Sequence, residues 1–490
     1  MRNRKIGAIL AALVLGATLA SCTQDLDITN PNAPSTGSFW KTEADAVSGV
    51  NATYNGLLNN GTYGRWLAFA YDIRSDEGYS NSPWTDLANF NKFTQGDYNF
   101  EVSRELWQHH YQAIFRANQV TDNVPAIDMN TTLRGRIVGE ARFIRGLLYY
   151  NLVNLYGPVP VIAKTPAPTD RPATASEADV YAQIEKDLTD ASGVLPTSYS
   201  GGDVGRATKG AALAMLGKAQ LQQRKWATAA TTLASVIALP GYDLMPNYAD
   251  NFTDKFENNK ESVFEVQFGD QSQLSNGVRG QNIAKMVGAC GPGYCDGRPS
   301  TYLYQQFLTE TTTSGDVDPR LDVTLFRNFP GATVYGGPYT NQGRGANDIY
   351  FKKYGQYYVP GDQNWDNPIN VRVIRFADVL LMEAEALNES GNTAGAYQYI
   401  NRVRARVSLA PLPAGLSQTA MRDRIMHERL VEFGLEGQRW NDLKRQNMLT
   451  KALVPNDSEY NFFVVGKSER LPIPQSEIDL NPNVKQNPGW

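Results

Sequence analysis

The residue types best suited to chemistry lie in one polar segment that also carries a tryptophan. Residues 72–84 have the sequence Asp-Ile-Arg-Ser-Asp-Glu-Gly-Tyr-Ser-Asn-Ser-Pro-Trp. A flat indole stacks on the C–H face of a sugar ring, while planar carboxylate, guanidinium and amide groups hydrogen-bond to hydroxyls. The segment therefore predicts a binding site for a hydroxylated ligand, with Trp84 as the stacking ring. Its expected polar partners are Asp72, Arg74, Asn81 and Asn89.

The N-terminus has the pattern of an export signal. Basic residues within positions 2–5 precede an apolar run over 6–20, which is short for a membrane span and typical of a signal peptide. The run ends in Leu-Ala-Ser-Cys, which resembles the lipobox of bacterial lipoproteins. We expect cleavage before Cys22 and acylation of that cysteine, which would anchor the chain stably in a membrane. A conventional secretory signal with an incidental cysteine is the alternative.

Cys290 and Cys295 are the cysteines that remain once Cys22 is assigned to the lipid. An exported chain lies where disulfides persist, so we expect these two to be paired. Free thiols in a flexible glycine-rich loop are the alternative. Pairing would stiffen the loop around Tyr294 and so lower the entropy lost when that ring binds a ligand. Further candidate ligand residues are Tyr302, Tyr335, Tyr339 and Trp365.

Composition and motifs argue against several functional classes. The 46 basic residues do not exceed the 50 acidic ones, so the chain lacks the positive charge that nucleic-acid binding needs. Zinc-type spacings such as HExxH and CxxC do not occur, and Asp316 and Asp318 lack the order of an EF-hand loop. No GxSxG elbow, Walker motif or dinucleotide fingerprint occurs either. We therefore expect no metal, no cofactor, no nucleic-acid partner and no enzyme activity.

Amphipathic helices must position these loops. Eight segments carry apolar residues at three- and four-residue steps, which predicts helices. They are residues 105–124, 133–156, 176–194, 206–224, 226–238, 371–390, 393–407 and 417–433. Helix stops are expected at Gly157-Pro158, at Pro240-Gly241 and at Gly391.

Two of the predicted helix pairs fit the 34-residue tetratricopeptide pattern. One pair lies within 206–240 and the other within 371–407. The glycine-rich residues between them carry short strand-like pieces at 262–268 and 349–354. The predicted fold is mainly α, a tetratricopeptide-repeat helical scaffold with a long irregular insertion that contains short strands.

The expected domain organisation follows from these segments. It comprises a signal peptide (1–21), a lipid anchor and spacer (22–38), an N-terminal helical region with tetratricopeptide units (39–240), a loop-rich insertion that is the expected ligand-binding region (241–370) and a C-terminal helical region (371–490).

Long motifs along the whole chain resemble one known family. They include GEARFIRGLLYYNLVNLYGPVP (139–160), IRFADVLLMEAEALN (374–388), ERLVEFGLEGQRWNDLKR (428–445) and the ending LPIPQSEI (471–478) with NPNVKQNPGW (481–490). These sequences resemble the SusD/RagB family of outer-membrane lipoproteins. The resemblance implies an α-helical protein with tetratricopeptide units, lipid-anchored on the cell surface at the outer membrane. It also implies a SusC-like TonB-dependent barrel as partner, over which the lipoprotein sits as a lid.

The same motifs place charged residues on otherwise apolar helices. We interpret them as paired charges that fix helix packing and not as a catalytic centre. They are Arg142, Arg145, Glu428, Arg429, Glu432, Glu436, Arg439 and Asp442.

The leading hypothesis is a non-enzymatic lipoprotein that captures an oligosaccharide or polysaccharide and passes it to the barrel. A peptide-capturing lid of the same family is the second hypothesis. A surface enzyme that degrades polysaccharide and a purely structural subunit of the complex are the remaining ones.

Overall fold

The computed structural model describes residues 39–269, 279–361, 363–453 and 462–490. The predicted signal peptide, Cys22 and the spacer lie outside the described residues. Within the described ranges, every helix is too short or too polar to cross a membrane.

Helices dominate the described part of the chain. The α-helices are α1 (Glu43–Asn55), α2 (Trp66–Ala68), α3 (Thr85–Asn91), α4 (Glu101–Asn123), α5 (Thr131–Tyr156), α6 (Glu177–Val194), α7 (Lys209–Gln222), α8 (Trp226–Ile237), α9 (Ile283–Val287), α10 (Thr301–Phe307), α11 (Arg320–Thr324), α12 (Phe376–Glu389), α13 (Thr393–Arg406), α14 (Gln418–Phe433), α15 (Arg439–Arg445), α16 (Leu449–Leu453) and α17 (Gln475–Leu480). Short 3₁₀ turns, the π-helical turn Phe69–Ile73 and the turn Asn60–Gly64, which is kinked at Thr62, connect some of them.

The strands are short and pair two by two. They are β1 (Gly78–Tyr79), β2 (Val159–Pro160), β3 (Thr174–Ala175), β4 (Ser262–Val266), β5 (Arg298–Pro299), β6 (Leu325–Phe326), β7 (Thr333–Val334), β8 (Gly337–Pro338), β9 (Tyr350–Phe351) and β10 (Val371–Arg375). The antiparallel pairs are β1 with β5, β2 with β3, β4 with β10, β6 with β9 and β7 with β8.

The long helices form one continuous array. Helices α4 to α8 each pack against the next along the chain, and α8 then packs against α12, which pairs with α13. The two predicted tetratricopeptide pairs, α7–α8 and α12–α13, are therefore neighbours in space although the insertion separates them in sequence. The mainly α scaffold with a long insertion is confirmed. Short helices and strands within the insertion lie against this array.

Local chemistry sets where the helices begin and end. Thr42 and Asp45 form a capping box at the start of α1, and Ser176 accepts a hydrogen bond from the Asp179 backbone at the start of α6. Helix α5 ends at Gly157, whose φ of 77° suits a residue without a Cβ. The expected stop at that glycine is confirmed.

One predicted helix begins later than its periodicity suggests. Residues 371–375 were expected to be helical, but they form β10, which pairs antiparallel with β4. All five residues are buried, and the sequence Val-Arg-Val-Ile-Arg is rich in β-branched side chains that suit a strand. A short apolar run does not distinguish a buried strand from the first turn of a helix. The predicted helix over 371–390 is therefore corrected to a strand followed by α12.

The charged residues of the long motifs are paired, and all of them except the half-buried Arg142 lie in the interior. Arg145 forms two hydrogen bonds with Asp187, and Arg429 bridges Asp378 and Asp442. Because an unpaired buried charge is strongly unfavourable, these pairs hold neighbouring helices in one arrangement. The interpretation of these residues as packing charges is confirmed. The corresponding ion pairs are Arg142–Asp190, Arg320–Glu428, Arg375–Glu432, Lys353–Glu436, Arg439–Asp76 and Arg445–Asp442.

The ion pairs around Asp378 predict a loss of stability in acid. Burial alone would raise the pKa of Asp378, but Lys218 Nζ at 2.9 Å and Arg429 Nη1 at 2.8 Å lower it to about 2. An unfolded aspartate titrates near pH 4, so this group stabilises the fold above that pH. We expect about 2 kcal/mol of its stabilisation to be lost as the pH falls from about 5 to 2. Urea unfolding across this range measures the loss.

The variant Asp378→Asn provides the control for this pH dependence. It lowers the stability at neutral pH, and its unfolding free energy should change less between pH 5 and pH 2 than that of the parent. An identical pH dependence in both proteins would contradict the assignment.

Candidate functional site

Three exposed aromatic side chains from distant segments lie close to one buried tryptophan and one arginine. Trp84, Tyr294 and Trp365 are 36%, 53% and 36% exposed, respectively. The rings of Tyr294 and Trp365 are 6.0 Å apart, and the Trp84 ring lies 6.0 Å from that of the buried Trp66. We call Trp84, Tyr294, Trp365 and the intervening Arg65 the aromatic platform.

Arg65 connects the two ends of the platform. Its guanidinium carbon lies 4.6 Å from the ring centroid of Trp66 and 4.7 Å from that of Trp365. Trp66 is held in turn, because its Nε1 donates to Glu105 at 2.8 Å. A cation between two rings is favourable and fixes their separation. The platform is therefore a pre-ordered surface of aromatic faces with a positive group among them.

A tight turn before Arg65 sets its position. The turn Asn60–Gly64 packs against α4, where the backbone N–H of Gly61 donates to His109 Nδ1 at 2.9 Å. A Cβ on Gly61 would lie 1.9 Å from the carbonyl oxygen of Glu105, so a side chain does not fit there. Gly64 accepts a hydrogen bond from the Asn282 backbone, which brings the insertion to the same place.

The loop that carries Trp84 is tied to the insertion. Strand β1 pairs with β5, and Ser80 Oγ donates to the backbone oxygen of Asp296 at 2.7 Å. Ser82 Oγ donates to Asp296 Oδ1 at 2.7 Å and accepts from the backbone of Trp84. These bonds fix Trp84 relative to the loop that holds Tyr294.

Cys290 and Cys295 form a disulfide, as expected. The two cysteines are five positions apart in the sequence, and the bridge closes a short loop that contains Tyr294. The backbone N–H of Tyr294 donates to Lys285, whose Nζ lies 5.1 Å from the tyrosine ring. The exposed ring is thus held by the disulfide, by its backbone bond and by a cation.

Removing the disulfide should weaken ligand binding more than it weakens the fold. In the variant Cys290→Ser/Cys295→Ser, Tyr294 has to be ordered on binding, which costs about 1 kcal/mol. We expect affinity for a platform ligand to fall about fivefold, measured by calorimetry. The control is Tyr294→Ala with the disulfide intact. If the double-serine variant binds as tightly as the parent, the loop does not depend on the bridge for its order.

The chain matches two family models and a known protein along its sequence. Residues 260–490 match the family model described as SusD family, and residues 26–221 match the model described as "Starch-binding associating with outer membrane". A SusD-like protein P2 of Formosa agariphila is 29% identical over 516 aligned residues, covering 98% of each chain.

Solved structures agree with these matches. A SusD superfamily protein from Bacteroides vulgatus has a TM-score of 0.83 at 28% identity, covering 92% of this chain and 100% of its own. A laminarin binding SusD-like protein is 31% identical with a TM-score of 0.77, again over 92% of this chain and 100% of its own. This chain belongs to the SusD family.

Two predicted polar ligand residues of this SusD-family protein are buried, which corrects the expectation for both. Asp72 is fully buried, and both its carboxylate oxygens accept from the backbone N–H of Gly437 at 2.9 Å. Burial raises the pKa of Asp72 well above its ordinary value. The Arg74 guanidinium lies over Phe93 and Trp440, and it donates to Ser468. A ligand at the surface does not reach either group.

The insertion tyrosines Tyr335 and Tyr339 are also buried, and the expectation that they bind ligand is likewise corrected. The hydroxyl of Tyr335 donates to Gln363, and the hydroxyl of Tyr339 donates to the backbone of Asp348. Tyr335 belongs to a small apolar cluster beside the disulfide, so these rings support the loop that carries Tyr294.

The remaining predicted residues lie at the surface or near it. Asn81 is exposed in the loop before Trp84, while Asn89 is half-buried on α3 and accepts from Thr94. Tyr302 is half-buried on α10, and burial raises its pKa.

Sequence reasoning missed Arg65 and its neighbour Trp66. The available signal was the tripeptide Gly64-Arg65-Trp66, which places a cation and an indole directly after a glycine. Within the described ranges, no group of three or more His, Cys, Asp or Glu side chains is arranged to hold a metal.

Proposed function

We propose that this SusD-family protein is a non-enzymatic cell-surface lipoprotein that binds glycan on the aromatic platform. It captures an oligosaccharide or polysaccharide and passes it to a SusC-like TonB-dependent transporter in the outer membrane, over which it acts as the lid. The lipid is attached at Cys22, and residues 23–38 form the spacer between the lipid and the folded body.

One observation carries the binding proposal. Trp84, Tyr294 and Trp365 are exposed rings from three distant segments, and contacts through the buried Trp66 and the half-buried Arg65 connect them. Exposed aromatic rings at fixed spacing match the apolar faces of successive sugar rings. Arg65 lies between Trp66 and Trp365, and Asn81 is exposed in the loop before Trp84, so both can hydrogen-bond to sugar hydroxyls. Since the rings are ordered before binding, little entropy is lost when a glycan stacks on them.

The comparisons support a glucan as the first ligand to test. The solved relative that is 31% identical to this chain is described as laminarin binding. One of the two matched family models is described as starch-binding and associating with the outer membrane. Laminarin and starch are therefore the first polysaccharides in the binding panel.

The binding test uses the mature domain, beginning after Cys22, and its Trp84→Ala variant. Both are run through affinity gels with plant, fungal and host polysaccharides, and positive ligands are measured by calorimetry. Trp84→Ala removes one stacking face and should lower affinity about tenfold, since one stacked ring contributes about 1.4 kcal/mol. The unfolding midpoint should stay close to that of the parent because the ring is partly exposed.

Phe329→Ala is the matched control for this experiment. Phe329 is an exposed ring of the insertion, 45% accessible, and the cation over it is Arg327, which does not belong to the aromatic platform. The Phe329→Ala variant should bind glycan with the same affinity as the parent. Absence of binding to every glycan, together with peptide retained on purification, would replace this proposal with the peptide-capturing lid. Turnover of polysaccharide by the isolated protein would favour the hypothesis of a surface enzyme that degrades polysaccharide.

A further inference from the structure

A small cavity lies inside the fold, apart from the aromatic platform, and its mostly apolar lining includes several polar side chains. It has a volume of about 50 Å³ and lies where α5 and α7 meet β10 and the segment between α14 and α15. Its polar lining includes Asp72, Tyr150, Lys218, Tyr354 and Glu436, all of which are buried. We call it the inner cavity.

Two tyrosines that line the inner cavity have hydroxyl groups without a partner in the described part of the chain. Tyr150 Oη and Tyr354 Oη are both buried, and neither has a hydrogen-bond partner among the residues that the structure describes. Buried hydroxyls are nearly always hydrogen-bonded, because leaving one unsatisfied forfeits its bonds to solvent. Both tyrosines line the same cavity, although they come from distant parts of the sequence. This points to a shared ligand that satisfies both.

The size and charge of the inner cavity define that ligand. A volume of about 50 Å³ holds about three water molecules and is too small for a sugar ring. Asp72 and Glu436 line the same space as Lys218 and Arg372, so two acidic residues are matched by two basic ones and neither an anion nor a cation is favoured. Lys218 is already paired with Asp378 at 2.9 Å. A neutral molecule that both donates and accepts hydrogen bonds fits best.

We propose that the inner cavity binds a cluster of about three ordered water molecules, held by the hydroxyls of Tyr150 and Tyr354. Tyr150 lies on α5 of the helical array, and Tyr354 follows β9 in the insertion. The water cluster therefore connects the array to the insertion, where the two tyrosines make no direct bond. Asp72, which we first expected to bind ligand at the surface, contributes to the cavity wall.

A high-resolution crystal structure of the mature chain tests this directly. Separate density peaks within hydrogen-bond distance of Tyr150 Oη and Tyr354 Oη are expected. Absence of density in the inner cavity would overturn the proposal. One continuous density that fits a larger molecule would overturn it as well, since the ligand would then not be water.

Two phenylalanine variants provide an independent test in solution. Tyr150→Phe and Tyr354→Phe each remove one hydroxyl from the inner cavity. The matched control is Tyr156→Phe. In the parent, the buried hydroxyl of Tyr156 donates directly to the backbone oxygen of Ser103 at 2.8 Å. If water satisfies the cavity hydroxyls, all three variants should raise the unfolding equilibrium constant about fivefold in urea titrations.

A dry cavity gives the opposite result. Removing an unsatisfied hydroxyl would then leave the unfolding constant unchanged or lower it, while Tyr156→Phe still raises it. That outcome would overturn the proposal. Glycan binding by the cavity variants should equal that of the parent, so failure of this inference is distinguishable from failure of the proposed function.

Discussion

Replacing Arg375 with methionine should lower the free energy of unfolding by about 3–5 kcal/mol. Arg375 is buried at the junction of β10 and α12, and its guanidinium contacts three carboxylates. These are Glu261 at 2.5 Å, Glu432 at 2.9 Å and Glu436 at 2.7 Å. Methionine has a similar length but no charge, so three buried acids lose a shared cation. Urea unfolding of the parent and variant at pH 7 measures the difference.

The control for this prediction is an ion pair at the surface. Arg327→Met breaks a bidentate pair with Asp322, whose side chain is 51% exposed. Because solvent screens such a pair, the loss should be about 0–1 kcal/mol. Similar losses in the two variants would contradict the view that the buried network holds β10 and α12 against α14.

Replacing Trp365 with alanine should lower glycan affinity about thirtyfold, the largest effect that we expect at the platform. Trp365 contacts both Tyr294 and Arg65, so its removal takes away one stacking face and frees two neighbours. Central aromatic residues of this kind dominate binding energy, with losses of about 2 kcal/mol. Calorimetry with the glycan identified in the panel measures the change.

The double variant Trp365→Ala/Tyr294→Ala shows whether the two rings act together. If they form one surface, the combined loss should differ from the sum of the single losses, because the two rings are in contact. Phe329→Ala again serves as the control and should bind normally. Full affinity in Trp365→Ala would remove this residue from the site and shift the binding surface toward Trp84.

Much of the helical scaffold was predictable because its determinants are local. Apolar residues at helical spacing identified α4 to α8 and α12 to α14, and Gly157 marked the end of α5. The predicted start of α12 was wrong, because residues 371–375 form β10, which acquires its strand conformation from pairing with β4. Pairing between residues more than a hundred positions apart leaves no local periodic signal.

The sequence by itself determined the long helices, the family, the disulfide and three of the four platform residues by type. Each depends on a local pattern: helical periodicity, ordered motifs, two nearby cysteines, or aromatic residues in polar loops. Only the tertiary structure decided that Trp84, Tyr294 and Trp365 share one surface with Arg65, and that Asp72 and Arg74 are interior. The physical reason is that exposure and proximity depend on which distant segments pack together, and residue type alone does not specify that packing.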